Sequence, residues 1–232
     1  MNVFDTREQL ASEVAEALLA LIADAQASGD VPQICLTGGS IADDVHREAA
    51  AKADASGVDW GAVDFWWGDE RFLAHDDPER NCLQAANAFL DKVGVPAHRR
   101  HEIAASDQTT DVHAAADDYE RALHAVRQFD LVMLGMGPDG HIASLFPGFV
   151  QLDVTDRQAV AVTGSPKPPP ERVSMTLSRL TKAARVWLVV DGASKAEPLK
   201  KALEGAPVRE IPAAAVATLP FTTVWTDSVT TS

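Results

Sequence analysis

The 232-residue chain holds only two cysteines, Cys35 and Cys82, and no C-x-x-C pair. That excludes a disulfide-stapled scaffold, and the thiols read as reduced cysteines of a cytosolic protein. No H-E-x-x-H or Cys/His ligand spacing occurs, so neither a metal nor a metal cofactor is expected. His98 and His101 in "HRRH" are helix-spaced, but they read as a solvent-facing turn. Apolar runs fall well short of the ~20 residues that cross a bilayer. No signal-peptide pattern is visible, so the expectation is a cytoplasmic protein without membrane contact. Positive charge is scarce too: 20 Lys and Arg face 34 Asp and Glu, for a net charge of −14. This acidity argues against a nucleic-acid partner. It also repels anions at long range, so an anionic ligand needs a local cluster of Arg and Lys. Repeats, low-complexity runs and long linkers are absent. The one proline-rich segment, "GSPKPPPERV", reads as an ordered or lid-like loop. Nothing in the sequence specifies an oligomeric state.

What is present is patterned. The hydrophobic fraction of 46% is enough for a sizeable core, and residues 1–232 read as one domain with room for a small subdomain. Asp5 with Glu8 resembles a capping box, and Leu10, Val14, Leu18 and Leu21 carry a helix towards Gly29. "QICLTGG" reads as a strand, "IADDVHREAAAKAD" as a helix, and "VDFWWGDERF" as a strand running out into a charged loop. "NCLQAANAFLDKV" and residues 109–127 read as helices, and "FDLVMLG" as a buried strand. "QAVAVTGS", "RVSMTLS", "RVWLVVDG" and "FTTVWTD" follow as strands, with a helix in "SKAEPLKKALEG". This alternation predicts an α/β, Rossmann-like fold with a mostly parallel sheet and helices on both faces.

Ligands of such sheets bind beyond the carboxyl ends of the strands. Four groups fall there: Thr37-Gly38-Gly39-Ser40, Asp69-Glu70-Arg71, Gly135 to His141, and Gly192 to Lys195. Gly135, Gly137 and Gly140 spell G-x-G-x-x-G, the dinucleotide pattern. That pattern needs a helix that continues for several turns and an acid about 20 residues on. Here Pro147 and Gly148 cut any helix short, so a nicotinamide cofactor is not expected. "LTGGSIADDVH" admits two readings: a phosphate cradle at a helix N-terminus, or a tight turn with Ser40 as N-cap. Arg71, Arg172 and Lys195, all at strand ends, favour the cradle. His141 emerges at the same edge, two residues after Asp139. Imidazole titrates near neutrality and suits a proton acceptor. No G-x-S-x-G elbow surrounds Ser144, which reads as a turn or helix-start residue.

On these residues the chain resembles the 6-phosphogluconolactonases. "GMGPDGHIASLFP" is similar to their signature, and "LTGGS" to their phosphate loop, usually written S-G-G-S-T-P. "WWGDERF" with "ERN" resembles their D-E-R block and trailing Asn, and "ERVSMTL" and "GASKAE" resemble two further blocks. Thr37 replaces the usual Ser, and Ile41-Ala42 replace Thr-Pro. The related glucosamine-6-phosphate deaminases read D-G-H-I-A-F-N-E-P, and Phe146 stands here at the aligned position of their glutamate. The resemblance implies hydrolysis of 6-phospho-D-glucono-1,5-lactone, a small-molecule sugar-phosphate lactone, with no cofactor. It implies that His141 activates water and that Asp139 orients it or binds a hydroxyl. Thr37, Gly38, Gly39, Ser40, Arg71, Arg172 and Lys195 would hold the phosphate and hydroxyls, with Gly137 against the substrate. Asp69 and Glu70 would bind hydroxyls or pair with an Arg.

Overall fold

A computed structural model describes residues 1–231. Among these described residues ten strands form two sheets. β1 (Asn2–Phe4), β2 (Gln33–Leu36), β3 (Asp64–Trp67), β5 (Arg100–His101), β6 (Leu131–Gly135), β9 (Val186–Val190) and β10 (Thr222–Asp227) make a seven-stranded sheet ordered β1-β10-β9-β6-β2-β3-β5. Every pairing in it is parallel. β4 (Asp69–Arg71), β7 (Ala159–Val162) and β8 (Arg172–Met175) make a separate antiparallel sheet ordered β4-β8-β7. The chain builds outward from β2 to β3 and β5, then from β6 the other way, so the order reverses between β2 and β6.

Side-chain alternation explains why both faces of the large sheet are covered. Ile34, Leu36, Phe65, Trp67, Leu131 and Met133 face one core, with Leu10, Val14 and Leu18 of α1 (Arg7–Ala27) and Val45 and Ala49 of α2 (Ser40–Ser56). The short helix α3 (Asn81–Ala85) lies on that side too. Cys35, Trp66, Val132 and Leu134 face the other core. There they meet α4 (Val112–Leu123), α6 (Ala196–Leu203), α7 (Ala214–Ala217) and the small sheet's Val173 and Met175. The short helices α5 (Leu177–Leu180) and α8 (Ser228–Thr231) complete the set.

Several local expectations shift. Thr6, not Asp5, caps α1, its hydroxyl accepting the Gln9 N–H at 3.2 Å; such a cap is worth about 1 kcal/mol. α1 ends at Ala27 with Gly29 just past its Ser28 cap, at φ +87°, as expected, whereas the helix expected over 109–127 spans only Val112–Leu123, capped by Asp111. "NCLQAANAFLDKV" is helical over 81–90, as expected, but α3 passes directly into a π-helical turn, Ala86–Leu90. "GDERF" is no loop: the chain leaves the large sheet at Gly68 and enters β4. β5 is too short to reach Trp67, and the Tyr119 hydroxyl instead accepts the Trp67 N–H at 3.0 Å and donates to its carbonyl at 2.8 Å. His101 sits in β5, not in a solvent-facing turn. Its ring stacks on Trp66 at 3.9 Å, and its Nε2 lies 2.9 Å from Asp64 Oδ1. Among the described residues, no helix is long and apolar enough to cross a membrane.

His46 on α2 is buried with neither ring nitrogen hydrogen-bonded. Burial, aided by the nearby Arg47 charge, lowers its pKa from 6.5 to about 4. Between those values the unfolded chain binds a proton that the folded one refuses. Stability therefore falls as the pH drops from 6.5 towards 4, by about 2 kcal/mol at pH 5. Urea unfolding at pH 7 and pH 5 checks this; in His46→Leu that loss disappears.

Candidate functional site

The carboxyl ends of β2 and β6, at the point where strand order reverses, open into a cavity of about 230 Å³. Open α/β sheets place ligands at such switch points. It gathers residues from segments far apart in the chain, among them Thr37 to Ser40, Asp69 and Arg71, Gly137 and His141, Arg172, and Lys195. A larger cavity of about 600 Å³ opens at the opposite, amino ends of the strands, lined by Gln33, Asp64 and His101 among others. None of the residues expected to act lies there.

The glycine loop ends β2 and starts α2. Gly39, not Ser40, occupies the N-cap position, at φ +103°, and no side chain caps the helix. The first N–H groups of α2 therefore lack intrahelical acceptors and a capping oxygen. Together with the helix dipole they favour an anion, worth up to about 2 kcal/mol when partly buried. Thr37 lines the cavity, but its hydroxyl also accepts the Gly135 N–H at 3.3 Å, tying the β2 and β6 ends together. Gly38 has a steric reason: a Cβ there would fall 2.0 Å from Asn81 Oδ1. Asn81 also lines the cavity.

Four cations surround this loop in an otherwise acidic protein. Arg71 and Arg172 are directly paired across β4 and β8. Like charges placed opposite one another destabilise a sheet unless an anion answers them. Arg172 is 6% exposed. Burial lowers its pKa, Asp69 counters this, and Arg71 adds to the lowering. Its nitrogens also do work within the fold, donating to the carbonyls of Pro169 at 3.2 Å, Pro168 at 2.9 Å and Lys167 at 3.3 Å. The proline-rich loop is thereby held against the cavity, bringing in Lys167, which the sequence reading left out. Lys195 reaches the cavity from the turn before α6, paired with Asp191 at 3.0 Å.

The His141 loop forms no helix. It turns back on itself, with Gly137 N–H donating to the His141 carbonyl at 3.0 Å. His141 Nδ1 lies 2.5 Å from Asp139 Oδ1. Burial raises the Asp139 pKa, but the hydrogen bond and charge of His141, with Lys167 nearby, outweigh it and bring it to about 2. An ionised Asp139 accepts the Nδ1–H, which leaves the Nε2 lone pair free. Gly137 makes this geometry possible, since a Cβ there would fall 2.1 Å from His141 Cε1 and 2.6 Å from Asp139 Oδ1. Phe146 packs on the imidazole, ring centroids 4.7 Å apart. It offers the ring a hydrophobic face and no acceptor.

The acids behave differently from one another. Asp69 lines the cavity while its Oδ2 accepts the Ser144 hydroxyl at 2.6 Å. Glu70 is 1% exposed and stands behind the cavity wall, accepting backbone N–H groups. Its expected contact with a hydroxyl is therefore corrected, while the expected pairing with an Arg is met by Arg80, whose Nε lies 3.9 Å away. Asn81 and Lys167 are the polar side chains of the cavity without a role in the sequence pattern. Asn81 was visible as the residue trailing D-E-R; Lys167 gave no signal beyond its loop.

A switch-point cavity with a capless helix start, a cation cluster and an Asp–His pair makes an anion-receptive site on a Rossmann-like sheet. The chain belongs to the family described as glucosamine-6-phosphate isomerases/6-phosphogluconolactonase, which residues 5–225 match. It is 42% identical over 219 residues to the 6-phosphogluconolactonase of Streptomyces coelicolor, covering 90% of this chain and 84% of that protein. The Mycobacterium leprae 6-phosphogluconolactonase is 38% identical over 234 residues, covering 97% and 94%. The crystal structure of a 6-phosphogluconolactonase from Shewanella baltica superposes with a TM-score of 0.85 at 25% identity, covering 97% of this chain and 95% of that one.

Proposed function

We propose that this chain is a cytoplasmic enzyme that hydrolyses 6-phospho-D-glucono-1,5-lactone to 6-phospho-D-gluconate, the second step of the oxidative pentose phosphate pathway. One observation carries the reading: an Asp139–His141 pair with a free Nε2 at a cation-lined cavity, backed by Phe146. The 6-phosphate meets the α2 start, Gly38, Gly39 and Ser40, with Arg71, Arg172, Lys167 and Lys195 supplying charge. Water attacks C1 as His141 Nε2 takes its proton, and Asp139 stabilises the imidazolium. The C1–O5 bond then breaks, and the imidazolium returns the proton to O5. The deaminase reaction of the same family needs an acceptor for the imidazole where this chain has Phe146. Incubation with glucosamine 6-phosphate therefore releases no ammonia, whereas the lactone is turned over; ammonia release would reverse the assignment.

Arg172→Ala removes one charge and the tether of the Lys167 loop. The expected result is a KM for the phosphorylated lactone raised roughly 10- to 100-fold, with a smaller change in kcat. An unchanged KM in steady-state kinetics would remove Arg172 from the phosphate site.

A further inference from the structure

We propose that Glu70 is a positioning residue: its buried carboxylate locks β4 to the start of α3 and so sets where Arg71 and Asn81 stand against the glycine loop. The proposal deepens the lactonase reading and rests on it. One oxygen, Oε1, accepts the Arg71 N–H at 2.8 Å and the Asn81 N–H at 2.7 Å; the other, Oε2, accepts the Cys82 N–H at 2.9 Å. Arg80 Nε lies 3.9 Å from Oε2, and the Arg80 guanidinium donates to the Ile103 carbonyl. A single carboxylate thus satisfies N–H groups from a strand and from the first turn of the next helix.

Two of the three residues it holds, Arg71 and Asn81, face the cavity. Asn81 passes the constraint to the glycine loop: its Nδ2 donates to the Asp69 carbonyl at 2.9 Å, and its amide fills the space a Gly38 side chain would need. Arg71 passes it to the paired Arg172 across the small sheet. Every hydrogen-bonding neighbour of Glu70 is a donor. Glutamine fits the volume but turns an NH₂ group towards at least one of them, so the lock loosens without a cavity forming.

The test is Glu70→Gln, read by lactone kinetics and by competitive inhibition with inorganic phosphate. The expected result is that KM and the phosphate inhibition constant rise together, roughly 10- to 100-fold, with kcat within about threefold. A purely structural role would instead lower kcat per total protein, through a smaller folded fraction, at unchanged KM and phosphate inhibition; that result overturns the proposal. Glu70→Asp keeps the charge and shortens the reach by one methylene, and it decides the matter if the Gln variant does not fold. Its KM and phosphate inhibition constant rise in the same direction, by less, and unchanged values overturn the proposal. Phosphate binding measured by calorimetry needs no turnover. A wild type that binds phosphate without hydrolysing lactone therefore sinks the functional reading, while the effect of Glu70→Gln on phosphate affinity still decides the positioning role.

Discussion

Replacing His141 by alanine lowers kcat for the lactone by about 10²–10⁴-fold, the range a positioned general base supplies. Binding of 6-phosphogluconate stays close to wild type, because the cations and the α2 start are untouched. The cause is local. With Nδ1 held 2.5 Å from Asp139, Nε2 is the ring's one free acceptor, and no serine in the loop replaces it. Ser144 is buried and its hydroxyl is committed to Asp69. Stopped-flow or pH-stat kinetics, with product binding measured by calorimetry, separate the two effects. Near-wild-type turnover in His141→Ala would mean that another group activates the water.

Gly137→Ala produces a comparable loss while leaving the identities of His141 and Asp139 unchanged. A Cβ there meets His141 Cε1 at 2.1 Å, Nδ1 at 2.2 Å and Asp139 Oδ1 at 2.6 Å. The ring and its carboxylate must both move, and a displacement of about 1 Å at a reacting group costs on the order of 100-fold. The expected kcat is therefore at least about 100-fold down, with phosphate inhibition unchanged. The double variant with His141→Ala is no slower than His141→Ala alone, because both changes remove the same function. A Gly137→Ala enzyme within about threefold of wild type would show that the loop has room to yield, contrary to the packing seen.

These two residues mark what could be read from the chain. His141 was legible because a strand, a glycine turn and a histidine at a sheet's carboxyl edge form a local pattern. Gly137 was legible as a glycine but not in its purpose, because the ring it accommodates folds back from four residues on. Asn81 and Glu70 follow the same rule: their partners come from other segments. The large sheet followed from the short, nearly uninterrupted apolar runs in "QICL", "DFWW" and "LVMLG", the mark of strands buried on both faces. The small sheet did not: "QAVAVTGS" and "RVSMTLS" read as strands, but the all-charged "DER" reads as a loop and its pairing with "RVSM" joins residues far apart in the chain. β1, three residues long, was invisible for the same reason. The Ser40 cap reading failed because the Gly39 conformation moved the helix start by one residue. Arg172 was placed at the site, but its three bonds to the proline-rich loop depend on a tertiary turn that the sequence does not encode locally.

The most direct measurement is the rate of 6-phosphogluconolactone hydrolysis by the wild-type protein, with the spontaneous rate subtracted and His141→Ala run beside it. The expected result is saturable acceleration, proportional to enzyme concentration and almost abolished in the variant. Hydrolysis at the spontaneous rate with wild type present, or equal acceleration by both proteins, would contradict it.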